Sequence, residues 1–509
     1  MSPFSDLFDP KALASSIWGD VTLPDARLHA RLRATTAMLV ERLDAPTVSV
    51  PRKLVVGAQR LWNNDRVTPE SLATPMLEHQ AGQLTGATSL IIAHDTMEID
   101  LTGRYQTDDA GPLRSPHACG HLLHWSLAVD PITHRPLAAL AFTVWTRPMA
   151  TRKQDHATRP PEQRESIKWT REMTACLATL ARAKVHAQVT HVIDREGDTH
   201  DNFTFAVQGK HRLITRAAQD HAIAEAPGTL FKRFADDIAF PQETTCTREV
   251  PTKARADALR AARAEGREQV RAIGQALKAL GGHRKATLRV RWAAVTLAPD
   301  AHKKKSSRRS PVRVWAVQIH ESNAPPLVEP LSWLLLTTVP VTTVDEALAV
   351  VDAYRGRWPI EPMHAVLKTG LQVERQGVTD VAASRRLLAV LLPVSLHLMR
   401  WAYGWRESPQ QLASAQVPTA VLDALKSACR FRGLSLPRRA WTIKDVVLRL
   451  AALGGYEHRP DRTPGWLVLW RGWHELLRFW RVVAFAQTAA PSELPDKPPP
   501  KTPWKPRGA

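Results

Sequence analysis

Cysteine is scarce in this 509-residue chain. There are four, Cys119, Cys176, Cys246 and Cys429, widely separated and without a CxxC pair. That spacing argues against both a disulfide framework and a zinc site, and fits a reducing cytosol. Long apolar runs are lacking as well. The nearest, "LLAVLLPVSLHLMRWAYGW", is interrupted by Pro393, His397 and Arg400, so no transmembrane helix and no membrane partner are expected. The N-terminus "MSPFSDLFDPKALAS" has no basic start ahead of an apolar core, so no secretory signal is expected. Internal repeats are missing. Acids are outnumbered: 49 Asp and Glu stand against 69 Lys and Arg, a net charge of +20. A surplus of that size favours a polyanionic partner, most simply DNA or RNA, unless the whole proteome of the source is basic.

What is present falls into segments. Residues 1–80 read as helical. "DARLHARLRATTAMLVERL" gathers Arg27, Arg31 and Arg33 on a helix, as a DNA-contacting element or as a solvated basic face. Residues 81–239 change character. "ATSLIIAHD", "HLLHWSLAVD" and "LAALAFTVW" are strand-like runs with "PITHRP" as a turn, which predicts an antiparallel meander. A helix over 165–184, the run "AQVTHVID", a short helix and "HRLITRA" follow. The order β, β, β, α, β, α, β predicts an α/β fold with a mixed sheet and helices on its faces. Residues 240–340 read as a β-rich insertion. It holds one long Ala- and Arg-rich helix over 254–280, the strands "KATLRVRWAAVTL" and "VRVWAVQIHE", and a basic loop at 302–309. Residues 341–405 are helical. Residues 406–488 are helical and rich in tryptophan, with Trp466, Trp470 and Trp473 on one face, as a core seam or an oligomer interface. The Pro- and Lys-rich tail 489–509 reads as disordered.

Two strand-like runs end in an acid, giving Asp95 and Asp194. An acid there is placed at the rim of a sheet, where it can meet a ligand, or it can cap the following turn. Nearby rivals are Glu98 and Asp100 for the first and Glu196 and Asp198 for the second. Hard divalent cations prefer carboxylate oxygens, and two such ions serve phosphodiester chemistry. A third acid lies in "YRGRWPIEPMHAVLKTG". Glu361 and Lys368 are seven apart, hence on nearly one face of a helix. Pro359 and Pro362 predict a helix that begins near 358–361, with Tyr354 and Arg357 on the preceding segment or a kinked turn. One reading gives Glu361 to a metal and Tyr354, Arg357 and Lys368 to phosphate; the other is an ordinary amphipathic helix.

The pattern Tyr354-x2-Arg357-x3-Glu361-x6-Lys368 resembles the signature of the insertion-sequence-four family of DDE transposases. "VIDREGDTH" is similar to that family's second-acid motif, and "IAHDTMEIDLTGR" to its first. The three stand in the family's order, and further likenesses extend over nearly the whole chain. Pro359 and Pro362 depart from the family's pattern, and the basic loop has no counterpart in it. The resemblance implies an RNase H-like core, with Asp95, Asp194 and Glu361 holding two Mg²⁺ or Mn²⁺ ions. It implies DNA contacts from Tyr354, Arg357, Lys368, Trp358 and Arg216. It gives Trp333 to stacking on a base flipped out of the element's end, a contact worth about 1–3 kcal/mol. The implied activity is cut-and-paste transposition. Inverted-repeat ends are bound by the N-terminal domain and cut by hydrolysis and transesterification through a hairpin. The 3′-hydroxyls are then joined to target DNA by a homodimer, in the bacterial cytoplasm at the nucleoid. A metal-dependent nuclease on the same fold, or a non-catalytic DNA-binding inhibitor, is the alternative.

Overall fold

The computed structural model describes the chain apart from residues 1–9, 42–51, 104–108, 149–163, 236–239, 299–309, 458–462 and 489–509 and the single positions 20, 22, 24, 241, 282 and 407. The basic loop at 302–309 and the C-terminal tail lie outside the described residues. The chain divides into two compact units, Met1–Gly404 and Trp405–Ala509.

The first unit is built on a ten-stranded mixed sheet: β1 Ser89–Asp100, β2 Gly111–Pro112, β3 Cys119–Val129, β4 Pro136–Trp145, β5 Gln188–Ile193, β6 Arg212–Arg216, β7 Glu243–Pro251, β8 His283–Leu297, β9 Val312–His320 and β10 Ser332–Thr337. The order is β2-β3-β1-β5-β6-β10-β9-β8-β7, with β4 paired to β3. β1, β3 and β4 form the antiparallel meander that their apolar runs predict. β5 then joins β1 in parallel and β6 joins β5 in parallel. Each of these two additions follows a helix, Ile167–Arg182 and His200–Gln208, because a parallel return needs a crossover. The fold is therefore mixed α/β, as the order of runs predicts.

Three features depart from the sequence-based reading. The single helix expected over 254–280 is two, Ala256–Glu265 and Arg267–Ala279, because Gly266 between them adopts φ 124°, a conformation closed to most L residues. β7 arises from "ETTCTREVP", whose alternating polar residues suit the edge of the sheet, where half of each strand is wet. β10, "SWLLLT", lies between β6 and β9 and is apolar on both faces toward its end, so it shows no alternation to find.

The sheet is covered on both faces. Leu90 and Ile92 of β1 pack on Cys176 and Leu180 of helix Ile167–Arg182. The helix Val381–Gly404 is long and apolar enough to cross a bilayer by length and composition, but it is mostly buried inside this unit, against β4 and helix Pro69–Gly82. Its Arg386 is buried and donates to the carbonyls of Trp62 and Val67 and to Asp65. Arg386→Met should lower unfolding free energy by about 2–4 kcal/mol, since it leaves two buried carbonyls without donors. Urea denaturation reads the loss; an unchanged midpoint would show that water replaces the guanidinium.

In the second unit, helices Thr419–Phe431, Ile443–Leu453 and Trp466–Thr488 pack together. Trp470 and Trp473 are buried within that packing and Trp466 is half-buried.

Candidate active site

Asp95 is not the last residue of its strand, since β1 runs on to Asp100. It lies two residues past the end of the parallel ladder with β5, whose last pair is Ala93 with Val192. Asp194 immediately follows β5. Both acids therefore emerge where the two parallel strands stop pairing, at their carboxyl ends, the usual ligand edge of such sheets. Asp194 also caps the short turn Arg195–Gly197, accepting from the Glu196 N–H at 2.9 Å. Capping and rim placement are thus properties of one residue.

Side chains alternate along β1, so Asp95 faces away from His94. Its cross-strand neighbour is Trp125, whose indole donates to His364 Nε2 at 2.8 Å. His364 lies on the short helix Ile360–Ala365, which carries Glu361 in its first turn. That helix passes into a π-helical turn, Val366–Gly370, holding Lys368. Tyr354 ends the preceding helix, Val344–Arg355, which is fixed by a capping box between Thr343 and Glu346. The break between Tyr354 and Glu361 and the start at residue 360 follow the proline-based expectation.

Arg357 sits in the break and joins the acids. It donates to Asp95 Oδ2 at 3.4 Å and to Glu361 Oε1 at 2.5 Å. The side chains of Arg357 and Asp95 are only 16% and 18% exposed, so that pair is not a surface ion pair, whereas Glu361 is half-exposed. Burial alone would lower the guanidinium's pKa, but Tyr354, Asp95 and Glu361 together raise it. Asp95 is pushed up to about 7, first by burial and then by the charges of Asp194 and Glu361, against the pull of Arg357. Asp194 is raised as well, chiefly by burial. Tyr354 is buried and its phenol is pushed up by burial, partly offset by Arg357 and Arg216. Trp333 meets the Tyr354 ring edge-on, with centroids 5.2 Å apart. Arg216 donates to the Ser332 carbonyl at 3.0 Å, next to Trp333.

These placements bring Asp95, Asp194, Glu361, Tyr354, Arg357, Arg216 and Trp333 into one neighbourhood. Lys368 pairs instead with Glu374 at 3.3 Å. Trp358 is 38% exposed beside Arg357. Arg27 and Arg31 lie far along the chain, on the exposed face of helix Ala26–Glu41, and Arg27 pairs with Asp25. Arg31 lines a groove of about 620 Å³ with Lys53 and Arg60 of helix Arg52–Trp62, so that basic face is concave.

The rival acids are engaged elsewhere. Glu98 accepts from the Arg114 N–H at 2.7 Å, and Asp100 holds the Thr102 N–H at 2.9 Å. Glu196 pairs with Lys168 and Arg114, both at 3.3 Å. Asp198 is fully buried and accepts from the N–H groups of Ala218 and Gln219 and from His221. Sequence reasoning missed the supporting pair Trp125 and His364. His364 stands three residues after Glu361, one helical turn on, which was a usable signal; Trp125 becomes its partner only through tertiary pairing.

In protein stripped of divalent cations by a chelator, Asp95 should contribute a loss of stability as pH rises from about 4 to about 7, against the opposite slope of the buried histidines, whose pKa values burial lowers. An unfolded Asp titrates near 3.8 and folded Asp95 near 7, so in that interval the folded state keeps a proton the unfolded state has lost. Asp194, also raised, adds a slope of the same sign. Asp95→Asn should remove that contribution, so that in urea denaturation the variant's stability rises more steeply over this interval than that of the wild type. An unchanged slope would mean that Asp95 ionises freely.

The donor set suits hard cations: three carboxylates, two of them raised in pKa by burial, with an arginine lying between Asp95 and Glu361. No family model matches the chain.

Proposed function

We propose that the chain is a cut-and-paste DNA transposase with an RNase H-like catalytic core. The observation that carries this reading is the placement of Arg357, which bonds an acid from β1 and an acid from the signature helix at once. The strand order β4-β3-β1-β5-β6, an antiparallel meander extended by two parallel strands, supports the RNase H-like part. The excess of basic residues supports a DNA partner.

On this reading Asp95, Asp194 and Glu361 would hold two Mg²⁺ or Mn²⁺ ions. When bound, such ions activate an attacking oxygen and stabilise a leaving one. The chain's own residues do the rest. Arg357 neutralises the acids, and with cations held by those acids its guanidinium would be available to a DNA phosphate. Lys368 and Arg216 add positive charge for the backbone, and the Tyr354 hydroxyl donates to a phosphate oxygen. Trp333 offers a flat face for an unstacked base. The groove of Arg31, Lys53 and Arg60 receives the element's end. One strand is hydrolysed, its 3′-hydroxyl attacks the opposite strand to give a hairpin, and water reopens it. The same 3′-hydroxyl then joins target DNA. Two ends require two chains, with the tryptophan-rich second unit as the pairing segment.

The test is a cleavage assay with Mg²⁺ and labelled DNA carrying both flanks of the chain's own gene, beside Glu361→Gln. Cuts at discrete ends with hairpin or joined products, and none from the variant, are expected. Discrete cuts without joining would leave a nuclease. Equal binding by both proteins without cutting would leave a DNA-binding inhibitor.

A further inference from the structure

The face of the sheet opposite the carboxylates carries a second cluster that the proposed chemistry does not use. His94 precedes Asp95 and points to the other face, with Ser126 as its cross-strand neighbour. His191 lies on β5, two residues before Ile193, and shares that face. Cys176 comes from helix Ile167–Arg182, which covers it. All three residues are buried, and one donor atom from each lies within 4.8 Å of the others.

We propose that His94, His191 and Cys176 supply three donors of a site for one borderline-soft divalent cation, of which Zn²⁺ is the type. Two imidazoles and a thiolate are the donors that select such an ion and not Mg²⁺. His94 Nε2 and His191 Nδ1 stand 2.9 Å apart in a hydrogen bond. Zinc held by both at about 2.0–2.1 Å in a tetrahedral array sets ligand nitrogens about 3.3 Å apart, so the rings need to part by only a few tenths of an ångström. The outer partner is in place: Ser126 Oγ lies 2.9 Å from His94 Nδ1, the nitrogen left over for orienting the ring. Binding takes the Cys176 proton, now shared with the Met173 carbonyl, into solvent.

A second observation is a buried acid left half-satisfied on the same helix. Glu172 sits four residues before Cys176 on the same helix, completely buried, and its Oε1 has no hydrogen-bond partner. Its other oxygen accepts only from Thr143 among the described residues. A divalent ion with the Cys176 thiolate would leave a net single positive charge, which Glu172 would balance on ionising. The ion would tie β1 and β5, the strands that carry Asp95 and Asp194, to one covering helix. The cysteine spacing rule fails to anticipate such a site, because its three donors come from three separate elements.

The test uses the full chain produced in cobalt-supplemented medium, so that a buried site can fill during folding. We expect about one tightly held Co²⁺ per chain, with the near-ultraviolet band of thiolate-to-cobalt charge transfer. The band should persist in Asp194→Asn, which separates this site from the carboxylates on the opposite face. It should vanish in Cys176→Ser and survive Cys119→Ser, Cys246→Ser and Cys429→Ser. Wild-type protein without the band, or a band that survives Cys176→Ser, overturns the proposal. Should Cys176→Ser fail to fold, retention of the band by all three other cysteine variants assigns the thiolate by elimination, and its loss in any of them refutes the site.

Discussion

Asp194→Asn should reduce DNA cleavage by about a thousandfold or more while leaving the fold and end binding intact. The magnitude follows from losing an anionic donor where charge has to be stabilised during reaction, an effect of about 3–4 kcal/mol or larger. The substitution is clean for a local reason. Asp194 has a structural duty, accepting the Glu196 N–H at 2.9 Å to cap the turn after β5. Asparagine keeps an oxygen for that bond and is an equally good cap, so only the charge is removed. Asp198, four residues on in the same "DREGD" stretch, is the contrasting control. It is fully buried and accepts from Ala218, Gln219 and His221. Asp198→Ala should cost about 3 kcal/mol of stability, because three donors lose their acceptor. The pair is measured by strand cleavage and thermal unfolding. A cleavage-competent Asp194→Asn would remove Asp194 from the acid set and with it the two-cation reading.

That contrast also marks how far the residues could be read without coordinates. "VID" and "AHD" expose their acids because a buried strand shows as an apolar run, and the meander β1-β3-β4 is legible for the same reason. Pro359 and Pro362 fix the start of the Glu361 helix because proline suits only a first turn. Where pattern is lost, so is prediction. β10 is flanked by strands on both sides and carries no alternation, and Gly266 inside an Ala-rich run breaks a helix that composition alone would continue. Which acid of "DREGD" is free was not legible either, since Asp198 is used up by partners about twenty residues downstream. The link from Arg357 to Asp95 spans 262 positions, and the cluster of His94, Cys176 and His191 joins three elements. Such pairings are set by sheet register, which no local window contains.

The second large effect is expected in the second unit, at Gly472, where glycine to alanine should act with the opposite sign to the same exchange at Gly274 of the first unit. Gly472 of helix Trp466–Thr488 lies against the carbonyl of Leu450 in helix Ile443–Leu453, and a Cβ there would fall on that oxygen. Gly454, at the end of the latter helix, meets the backbone of Val468 and Gly472 in the same way. The two backbones thus cross in contact, with no side chain between them to give way. Gly472→Ala gains about 1 kcal/mol of helix propensity. It must, however, push the helices apart and strip contacts from the buried Trp470 and Trp473, at a cost of about 3 kcal/mol or more. Net destabilisation is expected, read as earlier proteolysis after residue 405 and loss of tryptophan fluorescence shift. At Gly274, in helix Arg267–Ala279, a Cβ meets nothing, so Gly274→Ala should instead stabilise that helix by roughly 0.5–1 kcal/mol. If the second unit pairs two chains, Gly472→Ala should also abolish joined products that need both ends and leave binding to a single end unchanged. Loss of single-end binding as well would assign DNA contact, not pairing, to this unit.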